Sequence, residues 1–170
     1  SFAGAAGNNW EPGYKMKPGS FANYMKKKAL PQVKELLTQY GKVDMIWYDT
    51  PMKMTAAESA SFLDLSRKLQ PQIIVSGRIG NDLGDYTQME DNNLPALRQD
   101  YRWEVPVTMN HTWAYKRDDH HWKSTKYLLW QLTHSVSMGG NYLLNIGPQG
   151  DGTAPQASIE RLQQIGHWMK

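Results

Sequence analysis

The chain has 170 residues, a net charge of +3 from 19 Lys+Arg against 16 Asp+Glu, and 40% apolar content, enough for the core of one domain. Its basic residues are scattered apart from Lys26-Lys27-Lys28, which argues against nucleic-acid binding, and no apolar run approaches the roughly 20 residues that span a bilayer. With no cysteine, disulfides and thiolate chemistry are excluded; no signal peptide is legible, and the localisation stays unknown.

Residues 1–19 carry Gly, Asn and Pro without periodicity and read as an irregular N-terminal segment. Tyr24, Met25, Leu30, Val33, Leu36, Leu37 and Tyr40 fall at helical spacing, with Gly41 as the stop. Pro31 interrupts that pattern and either kinks one helix or opens a second. The adjacent lysine run reads as a solvated helix face.

Residues 43–49 form a β-branched and aromatic run between Gly41 and Pro51, the pattern of a strand buried on both faces. Asp49 ends this run, where α/β folds place catalytic groups, although an Asp here also suits a turn or a cap. Thr55 and Glu58 have capping-box spacing, and Phe62, Leu65 and Leu69 give the following helix an inward face as far as Pro71. Residues 73–78 repeat the design, an apolar strand delivering Arg78 at its carboxyl end. A strand, helix and strand of this size imply parallel pairing.

Residues 80–93 are loop-like, with a short strand expected within 84–91. Residues 103–109 are a strand candidate weakened by Pro106, which has no N–H for a ladder. Residues 110–123 form a polar, aromatic-rich loop. Ser124 caps a helix reaching about Met138, residues 141–146 form a fifth strand, and Ile159, Leu162, Ile165 and Trp168 mark a last helix.

Asp49, Glu90 and the tract Gly140-Asn141-Tyr142-Leu143-Leu144-Asn145-Ile146-Gly147-Pro148 together resemble the α-L-fucosidases of glycoside hydrolase family 29. The resemblance runs from about Trp10 to the last residue and is most specific in that glycine-flanked tract. It implies that Asp49 is the nucleophile, that Arg78 is the arginine of the next strand, and that Glu90 is the general acid/base; Glu104, near a strand and beside Trp103, is the runner-up for that last role. Trp113, Tyr115 and Met52 are candidate walls for the sugar, although such rings equally serve as core.

The same resemblance implies a (β/α)8-type barrel of which this chain matches the second half: an α/β fold of about five mainly parallel strands, occupying residues 1–170 as one partial catalytic domain. The His-His-Asp-Gly-Phe segment of the family's first half is absent, so the chain resembles a truncated, split or minimal member. The expected activity is retaining hydrolysis of terminal α-L-fucosyl residues. The alternative is a carbohydrate-binding or structural fragment without turnover.

Retention requires two carboxyl groups about 5–5.5 Å apart. In that scheme Arg78 keeps Asp49 ionised, and partial burial lifts the acid toward its working range. No cofactor is implied, and the expected partners are a fucosylated substrate and further copies of the chain, covering strand edges near Val43 and Tyr142. Asp118-Asp119-His120-His121 invites a metal reading, but adjacent histidines diverge on an extended chain and no further ligand stands at a recognised spacing, so no metal is assigned.

Overall fold

The computed structural model describes residues 18–51 and 54–170, which form α/β structure in two compact units dividing after Thr87. Among the described residues no helix is long and apolar enough to cross a membrane.

In the first unit, helix α1 (Ser20–Tyr24) passes through a π-helical turn (Met25–Ala29) into α2 (Leu30–Gln39). Pro31 explains the widened turn: its ring crowds the carbonyl four residues back and it offers no N–H. The backbone nevertheless stays right-handed helical through Ala29 and Leu30, so the proline distorts one continuous helical run rather than breaking it. The three lysines sit exposed in the wide turn.

Strand β1 (Met45–Ile46) pairs in parallel with β2 (Ile74–Val75) across α3 (Ala56–Leu69), as the strand, helix, strand pattern predicts. The Thr55–Glu58 capping box is formed in both directions. Met25, Val33, Leu37, Phe62, Ile73, Val75 and Ile79 make the core, with Val43, Ile46 and Tyr48 packed against it. The expectation that residues 43–49 are buried on both faces is corrected here. Ile46 and Tyr48 turn inward, whereas Met45 and Trp47 are exposed, so the strand alternates as a one-sided strand does. Arg67 ties this layer together, donating to the Ile73 carbonyl and pairing with Asp85, whose other oxygen accepts Val75 N–H at 2.6 Å.

The second unit is a three-stranded sheet in the order β3 (Thr87–Gln88), β4 (Trp103–Thr108), β5 (Asn141–Asn145), with α4 (Thr125–Ser137) before β5 and α5 (Gln156–Trp168) after it. The strand expected within 84–91 is thus confined to two residues. β4 and β5 are parallel over five residue pairs. On the other side, Met89 N–H bonds to Glu104 O and Asn92 N–H to Pro106 O, advancing along both segments in the parallel sense.

These bonds also explain how a central strand accommodates Pro106. Residues 104 and 106 face the β3 side, and β3 ends at Gln88, so the missing N–H falls beyond the strand, where the Pro106 carbonyl still accepts Asn92 N–H. Trp103, Val105 and Val107 are wholly buried on this sheet, each worth about 1.5–3 kcal/mol of burial. Ser124 caps α4 as expected, accepting Tyr127 N–H at 3.2 Å.

Candidate active site

Two of the residues singled out by sequence meet in the first unit. Asp49 lies just beyond the carboxyl end of β1, and Arg78 lies in a 3-10 turn (Gly77–Ile79) that follows β2 rather than on the strand itself. Arg78 Nη1 donates to Asp49 Oδ1 at 3.1 Å, and Thr50 N–H donates to the same oxygen at 2.8 Å. Thr50 pays for that geometry with a φ of 55°, a left-handed conformation that a β-branched residue rarely takes. Half of the Asp49 side chain remains exposed.

Two neighbours that the sequence reading missed hold the pair in place. The Arg78 guanidinium lies 5.1 Å from the centroid of the Trp47 ring, a cation–π distance. The available signal was spacing: Trp47 and Asp49 are two residues apart on an extended chain and so share a face. Ser76, fully buried, accepts Tyr48 N–H at 2.9 Å and thereby fixes the residue before Asp49 to the end of β2. The Tyr48 hydroxyl meets Ser66 at 2.9 Å, and burial pushes its pKa up, keeping it a neutral anchor.

Asp49, Arg78 and Trp47 open on a cleft of about 330 Å³ whose other walls include Phe21, Tyr24 and Phe62. That volume lies within the ~300–1,000 Å³ range of small-molecule sites, and the mixture of apolar rings with one ion pair suits a small polar ligand. A larger groove of about 810 Å³, between the N-terminal helices and α3, is lined mainly by Met25, Leu30, Pro31 and Leu65 and offers apolar surface rather than chemistry. Met52, also expected near the sugar, lies outside the described residues.

The remaining candidates belong to the second unit. Glu90 follows β3 by two residues, on the carboxyl side of the strand, and its Oε2 accepts Asn93 Nδ2 at 3.2 Å. It is exposed rather than partly buried as expected. Glu104 is on β4 itself, but at the amino end, opposite Asn141, with its Oε1 accepting Gln88 Nε2 at 2.9 Å. In a parallel sheet the two ends are not equivalent: ligand and catalytic groups gather at the carboxyl ends. By that criterion Glu90 is better placed in its sheet than Glu104.

Trp113 and Tyr115 are exposed on the loop after β4, and the 140–148 tract supports them from below. Asn145 Nδ2 donates to Trp113 O at 2.8 Å. Gly147 packs so closely that a Cβ there would stand 2.8 Å from Tyr115 N and 2.9 Å from the Ala114 carbonyl carbon. At the other end, a Cβ on Gly140 would stand 2.2 Å from the Trp103 ring. The tract's glycines and asparagine are therefore explained by close approach and by carbonyl capture, which sequence alone did not reveal.

The loop itself is closed by Asp119. Burial works against its charged form, but backbone N–H groups of His121 and His111 and the Thr112 hydroxyl outweigh it and hold the carboxyl below its usual range.

The comparisons with known proteins concern the family and the fold. The alpha-L-fucosidase family profile matches residues 5–170. The tissue alpha-L-fucosidase of Rattus norvegicus is 30% identical over 162 residues, 87% of this chain and 34% of the relative. Among solved structures, the alpha-L-fucosidase of Vibrio sp. strain EJY3 superposes with a TM-score of 0.81 at 36% identity, over 88% of this chain and 28% of that one. Alpha-L-fucosidase AlfC from Lactobacillus casei, solved in complex with alpha-L-fucose product, gives 0.73 at 33% identity over 84% and 43%. The chain spans about a third of the length of the curated relatives it matches. With a family match across nearly the whole chain and an α/β fold of parallel strands and helices like that of fucosidase structures, this protein belongs to the alpha-L-fucosidase family.

Proposed function

We propose that this chain carries the nucleophile of a retaining α-L-fucosidase acting on terminal α-L-fucosyl residues of glycans or oligosaccharides. The observation that carries the reading is the Asp49–Arg78 pair at the carboxyl ends of two parallel strands. With Oδ1 held by Arg78 and Thr50, Asp49 Oδ2 is the attacking atom. It bonds to the anomeric carbon as the glycosidic C–O bond breaks, while Glu90 gives its proton to the departing oxygen. Glu90 then takes a proton from water, which displaces Asp49 and restores it. The Lactobacillus casei relative, solved with fucose product, supports the sugar assignment.

In this reading both units are parts of one partial (β/α)8-type catalytic domain, and Trp113 and Tyr115 contribute to the sugar's surroundings. Among the described residues β1 has one strand neighbour, β2, and β5 has one, β4; Met45, Leu143 and Ile146 are exposed along them. Such edges and apolar side chains favour association, so copies of the chain complete the site. A light-scattering mass equal to one 19.5 kDa chain would overturn that association.

The activity is tested with a synthetic aryl α-L-fucoside. Release that disappears in Asp49→Asn and falls sharply in Glu90→Gln, but survives in Glu104→Gln, supports the assignment. The reverse order of the two glutamates would move the acid/base role to Glu104. Fucose binding with no release would favour a carbohydrate-binding fragment instead.

A further inference from the structure

Residues 110–123 join β4 to α4, and at their centre Asp119 is only 6% exposed. Its Oδ2 accepts His111 N–H at 2.9 Å and the Thr112 hydroxyl at 3.2 Å, and its Oδ1 accepts His121 N–H at 3.1 Å. These bonds gather two imidazoles around one carboxylate. His121 Nδ1 stands 3.5 Å from Asp119 Oδ1, and the rings of His111 and His121 lie parallel with centroids 4.6 Å apart. One ligand-capable atom from each of His111, Asp119 and His121 falls within 4.8 Å of the other two.

We infer that His111, Asp119 and His121 form a binding site for a zinc-class divalent cation that locks the loop between β4 and α4. Two imidazoles and a carboxylate are a donor set that zinc takes readily, with water as a fourth ligand, whereas calcium and magnesium prefer all-oxygen shells. Loop stapling alone accounts for the backbone bonds to Asp119. It does not account for two histidine rings brought to the same carboxylate from positions 111 and 121.

Ligand atoms around a tetrahedral zinc stand roughly 3.3–3.6 Å apart; His121 Nδ1 and Asp119 Oδ1 already stand at 3.5 Å, and a pair at the 4.8 Å limit must close by about 1 Å. The anchor does not need to move: the buried carboxylate is fixed by the loop's own N–H groups. The histidines can move, since both are exposed, His121 with 72% of its side chain in solvent, and turning about χ1 and χ2 converts parallel rings into converging ones. His120 is not among the three residues whose ligand-capable atoms converge, which makes it the control position.

Trp113 and Tyr115 lie within the loop that the ion would close, so metal binding would stiffen the segment that presents them. The inference concerns binding and stands apart from the catalytic reading.

Titration of the chelator-treated chain with Zn²⁺ alone, followed by calorimetry, is expected to show one saturable ion per chain. His111→Gln/His121→Gln is expected to weaken that binding roughly a hundredfold with an unchanged far-ultraviolet circular dichroism spectrum, and His120→Gln to leave it unchanged. If the double variant loses its spectrum, His121→Gln alone carries the test, with a loss of at least roughly tenfold. Equal affinity in the parent chain and the folded variant, loss of affinity in His120→Gln, or no saturable one-to-one binding in the parent would overturn the site.

Discussion

Asp49 and the 140–148 tract carry the same family resemblance, yet they are built on opposite terms. Asp49 is half exposed, follows a strand of only two paired residues, and adjoins Thr50 in a left-handed conformation. The tract occupies a five-residue strand, and its glycines are pressed against a buried indole at one end and a loop backbone at the other. Reactive groups must stay accessible and are held by a few directed bonds. The 140–148 tract is instead held by packing, where one extra carbon is felt at once.

The contrast predicts that activity and stability separate by region. The largest effect belongs to Asp49→Asn: with Asp49 as the proposed nucleophile, turnover of an aryl α-L-fucoside should fall by at least about a thousandfold. Its urea midpoint should move by less than about 1 kcal/mol equivalent, since a half-exposed ion pair contributes little to stability. Gly140→Ala is the mirror image. The added carbon meets the fully buried Trp103 ring and should cost about 1–3 kcal/mol, read as a lower urea midpoint with unchanged slope. An Asp49 variant that unfolds early, or a Gly140 variant of full stability, would break the comparison.

Ser76→Ala sharpens it, because Ser76 is a packed residue at the reactive end. Removing its hydroxyl leaves the part-buried Tyr48 N–H without its acceptor, at about 1–2 kcal/mol, and frees the residue beside Asp49. Both the urea midpoint and the turnover rate should therefore fall, unlike either previous variant.

Much of this division was legible in the sequence because it rests on local rules. Helical spacing, the Thr55–Glu58 box, the Ser124 cap and the parallel β1–β2 pairing follow from spacing and turn chemistry, and Asp49 and Arg78 were named from their strand-end positions. What escaped depended on neighbours distant in the chain. Exposure of Met45 and Trp47 depends on what covers that side of β1, which alternation within the strand does not state. Pro106 was legible as a weak strand residue, but its tolerance depends on where β3 stops. His111 was invisible as a partner for Asp119 and His121 because a closed loop, not a spacing rule, brings it there. Weighing Glu90 against Glu104 takes the direction of each strand as well as its existence.

The smallest expected effect tests whether the reactive end is as loosely held as it looks. Trp47 lies beneath Arg78, and a partly exposed cation–π contact is worth about 0.5–1 kcal/mol, so Trp47→Leu should barely alter the urea midpoint. If the ring only fills space, a leucine of reduced volume should leave turnover nearly intact. If instead it orients the guanidinium against Asp49, kcat should fall severalfold while KM changes little, because the charge is still present but its direction is not fixed. Arg78→Lys separates these cases further: the ammonium keeps the charge but has no planar face to lie on the indole. A positioning role for Trp47 therefore predicts that Trp47→Leu costs far less in the Arg78→Lys background than in the parent. Equal costs in the two backgrounds would reduce Trp47 to packing.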